Sequence, residues 1–197
     1  MQRANNIAIF ASGSGTNAEE IIKHFKNHAS IKVCCVLSDK ADAQVHARAE
    51  KYDIPSFSFY KSEIMTNDGK VFEILNNFGI NFIVLAGYMQ LIPGWIIDRY
   101  HNSVLNIHPA LLPKFGGKGM YGHHVHEAVI SSGEKKSGIT VHLVNKEYDK
   151  GKILFQDTVA ILPDDTPDML AEKIQKLEHE HYSKIIENFI LVTTFFD

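Results

Sequence analysis

The chain has 197 residues, of which 45% are hydrophobic and 22% are charged, and its formal net charge at pH 7 is −3. A chain of this length can bury a sizeable core, and its basic residues do not cluster into the positive face that a nucleic acid would need. The first six residues lack the apolar stretch of a signal peptide, and no apolar run approaches membrane-spanning length. We therefore expect a cytoplasmic protein that binds neither nucleic acid nor membrane.

The first half of the chain alternates short apolar runs with stretches that have helical spacing. The predicted strands are residues 7–11, 31–38, 55–59 and 81–86, the third being the weakest. The helices predicted between them are residues 18–25, 43–52 and 70–78. Short buried strands that alternate with helices are typical of a parallel sheet covered by helices on both faces. We predict a Rossmann-like, nucleotide-binding type of fold for residues 1–100.

The second half has a different pattern. A helix around Trp95 is followed by a strand over 104–107, a glycine-rich loop over 112–122 and a helix over 125–131. Two further strands, 138–144 and 153–161, are separated by a polar loop, and a long amphipathic helix covers 166–189. Because no linker or repeat interrupts the chain, we predict one domain over 1–197, a three-layer, doubly wound α/β sheet that is mostly parallel with an antiparallel strand in residues 101–197.

A glycine-containing turn, Ser12-Gly13-Ser14-Gly15-Thr16-Asn17, joins the first strand to the first helix. Glycines allow the backbone to approach a ligand closely, and the start of the following helix attracts an anion. Gly15, Thr16 and Asn17 are therefore candidates for binding a phosphate. The turn matches neither the Walker A motif nor the complete Gly-x-Gly-x-x-Gly pattern, so an ordinary strand-to-helix turn with Asn17 as helix cap remains the alternative.

Asn106 and His108 lie two residues apart at the end of a predicted strand, and Pro109 follows them. Their side chains should point to the same side of the sheet, at the carboxyl edge where α/β proteins bind ligands. An asparagine amide can stabilise an oxyanion and a histidine can transfer a proton near neutral pH, which together suit acyl transfer. The alternative is that both side chains only satisfy buried backbone groups.

Asp149 lies in the polar loop between the last two predicted strands. If this loop folds back onto His108, the carboxylate would favour the imidazolium and raise the pKa of the histidine. Otherwise Asp149 would be an ordinary turn residue that bonds to its own backbone. The sequence by itself leaves both possibilities open.

Five histidines raise the question of a metal site. Their spacing matches none of the usual zinc patterns, and positions two apart on a helix do not share a face. We therefore expect no metal and predict solvent-exposed or substrate-loop positions for them. These residues are His123, His124, His126, His179 and His181.

At this point the residues resemble a known family, the glycinamide ribonucleotide formyltransferases, which use 10-formyltetrahydrofolate as co-substrate. The resemblance is strongest in Leu105-Asn106-Ile107-His108-Pro109-Ala110-Leu111-Leu112-Pro113. It extends to the glycine turn and, in the same order, to Val84-Leu85-Ala86-Gly87-Tyr88-Met89, Gly138-Ile139-Thr140-Val141-His142 and Tyr148-Asp149-Lys150-Gly151. The matching segments span nearly the whole chain, which implies the fold of that family.

The resemblance also implies roles for single residues. Asn106 would polarise the formyl group, His108 would donate a proton, and Asp149 would raise the pKa of His108. The turn at Gly15, Thr16 and Asn17 would bind the ribotide phosphate. The other positions with an implied role are Glu178 for the ribotide and Met89, Gln90, Leu91 and Ile92, together with Asn106, for the folate. Residues 101–197 would thus be the catalytic and folate-binding half, and the chain a monomer or homodimer acting on small molecules in purine biosynthesis.

Three other functions share some of these features. A formyltetrahydrofolate hydrolase would use the same Asn, His and Asp to deliver water instead of an amine. Enzymes that resemble such hydrolases carry an additional N-terminal regulatory domain. A methionyl-tRNA formyltransferase would need an additional RNA-binding domain. A non-catalytic nucleotide-binding module would use an acidic residue such as Asp39 to bind a ribose.

Overall fold

A single seven-stranded sheet forms the centre of the molecule. The structure is a computed structural model and describes residues 4–195. The strands are β1 (Asn5–Phe10), β2 (Ile31–Ser38), β3 (Ser56–Ser58), β4 (Phe82–Leu85), β5 (Val104–His108), β6 (Lys136–Leu143) and β7 (Ile153–Ala160). Their order in the sheet is β3-β2-β1-β4-β5-β6-β7, and β6 runs antiparallel to both of its neighbours while the other pairs are parallel. The predicted fold class is confirmed.

Helices cover both faces of this sheet because neighbouring strand residues point to opposite sides. On β1, Ile7 and Ile9 belong to one buried cluster, whereas Ala8 and Phe10 belong to the other. The first cluster includes residues of α1 (Thr16–Phe25), α2 (Val45–Glu50), α6 (His123–Ser131) and α7 (Pro167–Phe195). The second includes residues of α3 (Lys61–Met65), α4 (Lys70–Asn77) and α5 (Gly94–Arg99). The protein therefore has three layers.

The strand order reverses next to β1, which lies between β2 and β4. In doubly wound folds, ligands bind in the crevice beyond the carboxyl ends of the strands at this point. Since β1, β4 and β5 are parallel neighbours, their carboxyl ends lie at the same edge of the sheet. The glycine turn, the segment after β4 and the Asn106–His108 strand end are thereby brought to one side of the molecule.

Three elements differ from the sequence predictions. Helix α1 begins at Thr16 with Gly15 as its N-cap, and among the described residues no side chain caps it; the prediction that Asn17 caps this helix was wrong, because its side chain bonds to another helix. Helix α3 has no counterpart among the predicted elements, since five residues are too few for a periodic signal. Helix α7 continues beyond residue 189 because Ile190, which lies one turn after Ile186, is buried as well.

Within residues 4–195, no helix combines the length and the apolar character that a membrane-spanning helix requires.

Candidate active site

A cavity of about 650 Å³ lies at the carboxyl edge of the sheet. It is lined by residues from the turn after β1, the segment after β4, the end of β5, the glycine-rich loop before α6, the loop after β6, and one face of α7. All positions with a site role predicted from the sequence are among its lining residues: Gly15, Thr16, Asn17, Met89, Gln90, Leu91, Ile92, Asn106, His108, Asp149 and Glu178. The structure thus brings together residues that are up to 163 positions apart, the separation of Gly15 and Glu178.

Asn106 is held by a residue on the neighbouring antiparallel strand. The register of β5 and β6 pairs Asn106 with His142, and Nδ2 of Asn106 lies 3.1 Å from Nε2 of His142. Nδ1 of His142 lies 2.9 Å from the carbonyl oxygen of Leu143, so this ring can donate from Nδ1 and accept from the asparagine at Nε2. An amide nitrogen has two hydrogens. The second one is left for a ligand in the cavity.

His108 is buried, with 3% of its surface exposed, and both ring nitrogens have neighbours. Nε2 lies 2.7 Å from the carbonyl oxygen of Phe115, to which it donates, and Nδ1 lies 3.7 Å from Oδ2 of Asp149. Burial lowers the pKa of His108, while Asp149 and the Phe115 carbonyl oppose this effect and His142 adds to it. The pKa of His108 is lowered on balance. Asp149 does act in the predicted direction, but desolvation outweighs it.

Asp149 connects both histidines. Its Oδ1 lies 3.6 Å from Nε2 of His142, and its Oδ2 accepts a 2.9 Å hydrogen bond from the backbone N–H of Gly117. Burial raises the pKa of Asp149, but the neighbouring His142 and His108 rings and the hydrogen bond from the Gly117 N–H together bring it below its ordinary value. Asp149 is therefore a carboxylate at neutral pH, in contact with the glycine-rich loop.

The segment after His108 is fixed by a small hydrogen-bond network around Thr140, which is fully buried on β6. Its hydroxyl donates to the carbonyl oxygen of Ala110 at 2.7 Å and accepts from the backbone N–H of Leu112 at 3.0 Å. The side chain of Gln156 donates to the same hydroxyl at 2.9 Å and to the Leu112 carbonyl at 3.0 Å. This network sets the path of the chain from β5 to Phe115.

The glycine turn and helix α7 form another part of the cavity wall. Asn17 Nδ2 donates to Glu178 Oε2 at 2.9 Å, and Gln175 Nε2 donates to the hydroxyl of Thr16 at 3.2 Å. Burial raises the pKa of Glu178 to about 7, although the hydrogen bond from Asn17 acts in the opposite direction. The first turn of α1 also leaves backbone N–H groups without partners inside the helix, and these favour an anion.

The segment at Met89–Ile92 follows β4 and forms another wall of the cavity. The hydroxyl of Ser12 accepts a 3.1 Å hydrogen bond from the backbone N–H of Met89, which ties this segment to the glycine turn. Ile92 is buried, whereas Gln90 and Leu91 are exposed. The exposed side chains of Gln90 and Leu91 can therefore contact a ligand in the cavity.

Sequence reasoning did not assign a role to three polar residues that line this cavity. His142 is one of them, and its signal was that it ends the matching segment Gly138-Ile139-Thr140-Val141-His142. Gln175 precedes Glu178 by three residues, which places both on one face of α7. His126 was predicted to be exposed or in a substrate loop, but it is buried on α6 because it lies on the face of the helix that also buries Val125 and Val129. Its Nδ1 has no partner within the described chain, and burial, together with the nearby His123 and His108, lowers its pKa to about 4.

A search for metal ligands gives no candidate. Among residues 4–195 no three His, Cys, Asp or Glu side chains are arranged so that they could hold a metal ion.

Fold and site together define the class of this protein: a doubly wound α/β protein with a cavity that is lined both by an Asn-His-Asp cluster and by a helix N-terminus. Comparisons with known proteins identify the family within this class. The model of the formyl transferase family matches residues 5–186. The chain belongs to the formyl transferase family, which confirms at family level the resemblance found in its sequence.

Individual relatives agree with this assignment. The chain is 38% identical over 189 residues to the chloroplastic phosphoribosylglycinamide formyltransferase of Arabidopsis thaliana, covering 93% of this chain and 65% of that protein. It is 36% identical to the phosphoribosylglycinamide formyltransferase of Bacillus subtilis, covering 93% of both. The crystal structure of the Bacillus halodurans phosphoribosylglycinamide formyltransferase superposes with a TM-score of 0.85 at 35% identity, covering 94% of this chain and 95% of that one. The chain thus spans slightly less than two thirds of the plant relative's length.

Proposed function

We propose that this protein transfers the formyl group of 10-formyltetrahydrofolate to the amine of 5-phosphoribosylglycinamide, a step of purine biosynthesis. The observation that carries the proposal is the shared cavity. Asn106, His108 and Asp149 line it together with the glycine turn and Glu178. A phosphorylated amine could reach across this space, with its phosphate at the start of α1 and its amine next to the polar cluster.

The chemistry proceeds by addition and elimination. The amine nitrogen attacks the formyl carbon, and the formyl oxygen becomes an oxyanion. This oxyanion accepts a hydrogen bond from the free N–H of Asn106. The bond between the formyl carbon and N10 of the folate then breaks. Overall one proton leaves the attacking amine and one is taken up by N10, so the folate departs as tetrahydrofolate and the ribotide carries the formyl group.

His108 and Asp149 would manage these protons. The imidazolium form of His108 is stabilised by the carboxylate of Asp149 and the carbonyl oxygen of Phe115. It can then donate the proton to the departing nitrogen. The lowered pKa of His108 in the free protein makes it a better donor once it is protonated.

The two substrates would occupy different walls. Thr16, Asn17 and the backbone at Gly15 would bind the phosphate, and Glu178 would accept hydrogen bonds from the ribotide. Met89, Gln90, Leu91 and Ile92 would contact the pterin through backbone groups and apolar surface, as the resemblance implies. The names of the relatives support this choice of acceptor.

The experiment that tests the proposal is a formyl-transfer assay. The purified chain is mixed with 10-formyltetrahydrofolate and 5-phosphoribosylglycinamide, and the folate absorbance and the formylated ribotide are followed while free formate is measured in parallel. We expect formyl-ribotide and tetrahydrofolate in equal amounts. Formate without formyl-ribotide would contradict the proposal in favour of a hydrolase, and tight binding of a dinucleotide without transfer would favour a non-catalytic module.

Two substitutions test the assigned roles in the same assay. Asn106→Ala should reduce kcat by about 10²–10³, the usual effect of losing one oxyanion donor. His108→Ala should reduce it by roughly 10²–10⁴. The matched controls are Asn77→Ala at the exposed end of α4 and His101→Ala in the exposed turn before β5, both of which should retain the activity of the wild-type protein.

The cytoplasmic location and the choice between monomer and homodimer remain predictions from the sequence. Gel filtration with light scattering measures the second of these directly.

A further inference from the structure

Helix α2 packs against the back of the glycine turn and holds two of its successive peptides. The backbone N–H of Val45, the first residue of α2, donates to the carbonyl oxygen of Gly13 at 3.3 Å. One turn further along the same helix, Nε of Arg48 donates to the carbonyl oxygen of Ser14 at 2.7 Å. Both contacts come from α2, although the turn itself belongs to the loop between β1 and α1.

These contacts decide where the turn's N–H groups point. In a planar trans peptide the C=O and the following N–H point in opposite directions. Because Arg48 holds the Ser14 carbonyl, the N–H of Gly15 is directed away from Arg48. In the same way, the contact of Val45 with the Gly13 carbonyl directs the N–H of Ser14 away from α2. Ser14 and Gly15 both line the cavity.

The side chain of Arg48 is itself fixed. Its Nη1 forms an ion pair with Oε2 of Glu19 in the first turn of α1, and the hydroxyl of Tyr52 lies 3.3 Å from the other oxygen of Glu19. The side chains of Arg48 and Glu19 are 27% and 12% exposed, so both are largely shielded from water. A guanidinium can donate to a carbonyl and a carboxylate at once because its N–H groups form a rigid planar fork.

The packing between α2 and the turn leaves no space for another arrangement at Gly15. Gly15 has a φ of 72°, and a Cβ at this position would lie 2.5 Å from the Cγ2 of Val45. The left-handed conformation and the close approach both require glycine. The turn is therefore shaped from behind by α2.

We infer that Arg48 is a positioning residue for phosphate recognition: it orients the Ser14–Gly15 peptide so that the Gly15 N–H meets the phosphate of the ribotide. The inference rests on the proposed function, which supplies the ribotide. Among the described residues Arg48 is not part of the cavity lining, and its charge is paired with Glu19. It acts through the peptide that it holds, and not as the phosphate's counter-ion.

The experiment compares two Arg48 variants with a matched control. Arg48→Met removes both contacts, and Arg48→Lys keeps the positive charge but loses the planar fork. Lys51→Met removes one positive charge from the exposed residue that follows α2. For each protein kcat/KM is measured with the ribotide and with the same compound lacking its phosphate, together with the KM for the folate, the binding of inorganic phosphate by calorimetry, and urea unfolding.

We expect a loss of affinity that is confined to ligands carrying a phosphate. In Arg48→Met the hydrogen bond from the Gly15 N–H to the charged phosphate should be weakened. The KM for the ribotide and the dissociation constant for inorganic phosphate should therefore each rise roughly tenfold. The kcat/KM for the phosphate-free compound, kcat with the ribotide and the KM for the folate should not change. Arg48→Lys should resemble Arg48→Met, and Lys51→Met should resemble the wild type.

Other results would overturn the inference. Equal losses with the phosphorylated and the phosphate-free compound would indicate general damage to the fold, and an Arg48→Lys protein that behaves like the wild type would indicate that charge alone matters. A wild-type chain that binds phosphate but transfers no formyl group would contradict the proposed function, while the phosphate measurements would still decide the role of Arg48. A wild-type chain that does not bind phosphate would overturn both.

Discussion

Asn106 and His142 face each other across the antiparallel pair β5 and β6, with 3.1 Å between Nδ2 of the amide and Nε2 of the imidazole. This contact uses one of the two amide hydrogens and fixes the plane of the amide. The remaining hydrogen is therefore directed before any substrate binds. Preorganised donors of this kind are effective because they need no reorientation during the reaction.

The first prediction concerns this contact. Replacing His142 with Ala should allow the Asn106 amide to rotate and lower kcat about tenfold, which is less than the roughly 10²–10³ expected for losing the amide itself. His142→Gln, whose side-chain oxygen can accept the same hydrogen bond, should restore part of the rate. The measurement is steady-state kinetics with both substrates. A His142→Ala protein as active as the wild type would show that the amide needs no support from β6.

The second prediction concerns pH. The carboxylate of Asp149 raises the pKa of His108, against the larger opposing effect of burial. Asp149→Asn should therefore lower the pKa of His108 further, and the form that donates a proton should be lost at a lower pH. The falling limb of the profile of kcat/KM against pH should move to lower pH by roughly one unit or more.

The control for this prediction is Asp98→Asn, which removes an exposed carboxylate from α5. It should leave the pH profile unchanged. If the profile of Asp149→Asn also stays in place, the proton-handling role of Asp149 is wrong, whatever the change in its absolute rate.

Much of the fold could be predicted from the sequence because it follows from local patterns. The apolar strand over 31–38 was predicted with the bounds that the structure gives, since short β-branched runs between helices form parallel strands. The position of Asn106 and His108 at a carboxyl edge followed from the same pattern. Family resemblance then related these residues to Asp149 and Glu178, which are far away in the chain.

The features that could not be predicted depend on tertiary packing. The pairing of Asn106 with His142 requires the register of β5 against β6, and no local pattern determines that register. The net pKa of His108 depends on how deeply the ring is buried, and a sequence does not specify the competition between burial and a nearby charge. The hydrogen bond from Asn17 to α7 replaced a helix cap for the same reason.

The third prediction uses the half-buried carboxyl of Glu178, whose pKa is raised to about 7 by desolvation. In the free protein this group is largely neutral below pH 7 and largely charged above it. Since a carboxylate accepts hydrogen bonds from ribotide hydroxyls better than the neutral acid does, the KM for the ribotide should fall as the pH rises through 7.

Glu178→Gln should remove this dependence and raise the KM above pH 7. Glu180→Gln, which neutralises an exposed acid on the same helix, is the control and should keep the wild-type profile. The phosphate of the ribotide also titrates, with a pKa of about 6, so the comparison is between the variants at each pH. Identical profiles for wild type and Glu178→Gln would contradict the role of this carboxyl.

The last prediction concerns Thr140, whose buried hydroxyl bonds to Ala110, Leu112 and Gln156. Thr140→Val keeps the shape of the side chain but leaves the N–H of Leu112 and the carbonyl of Ala110 without this partner. A buried group left unsatisfied costs about 1–3 kcal/mol, so the free energy of unfolding in urea should fall by about that amount. Because the same network sets the path from His108 to Phe115, kcat should fall as well.

Thr158→Val is the matched control, since it makes the same chemical change at an exposed position on β7. Surface substitutions of this kind usually change the unfolding free energy by no more than about 0.5 kcal/mol. If Thr140→Val and Thr158→Val are equally stable, the hydroxyl of Thr140 does not hold the segment after β5. If Thr140→Val loses stability but keeps its kcat, the network supports the fold without positioning His108, and the link between the two would have to be abandoned.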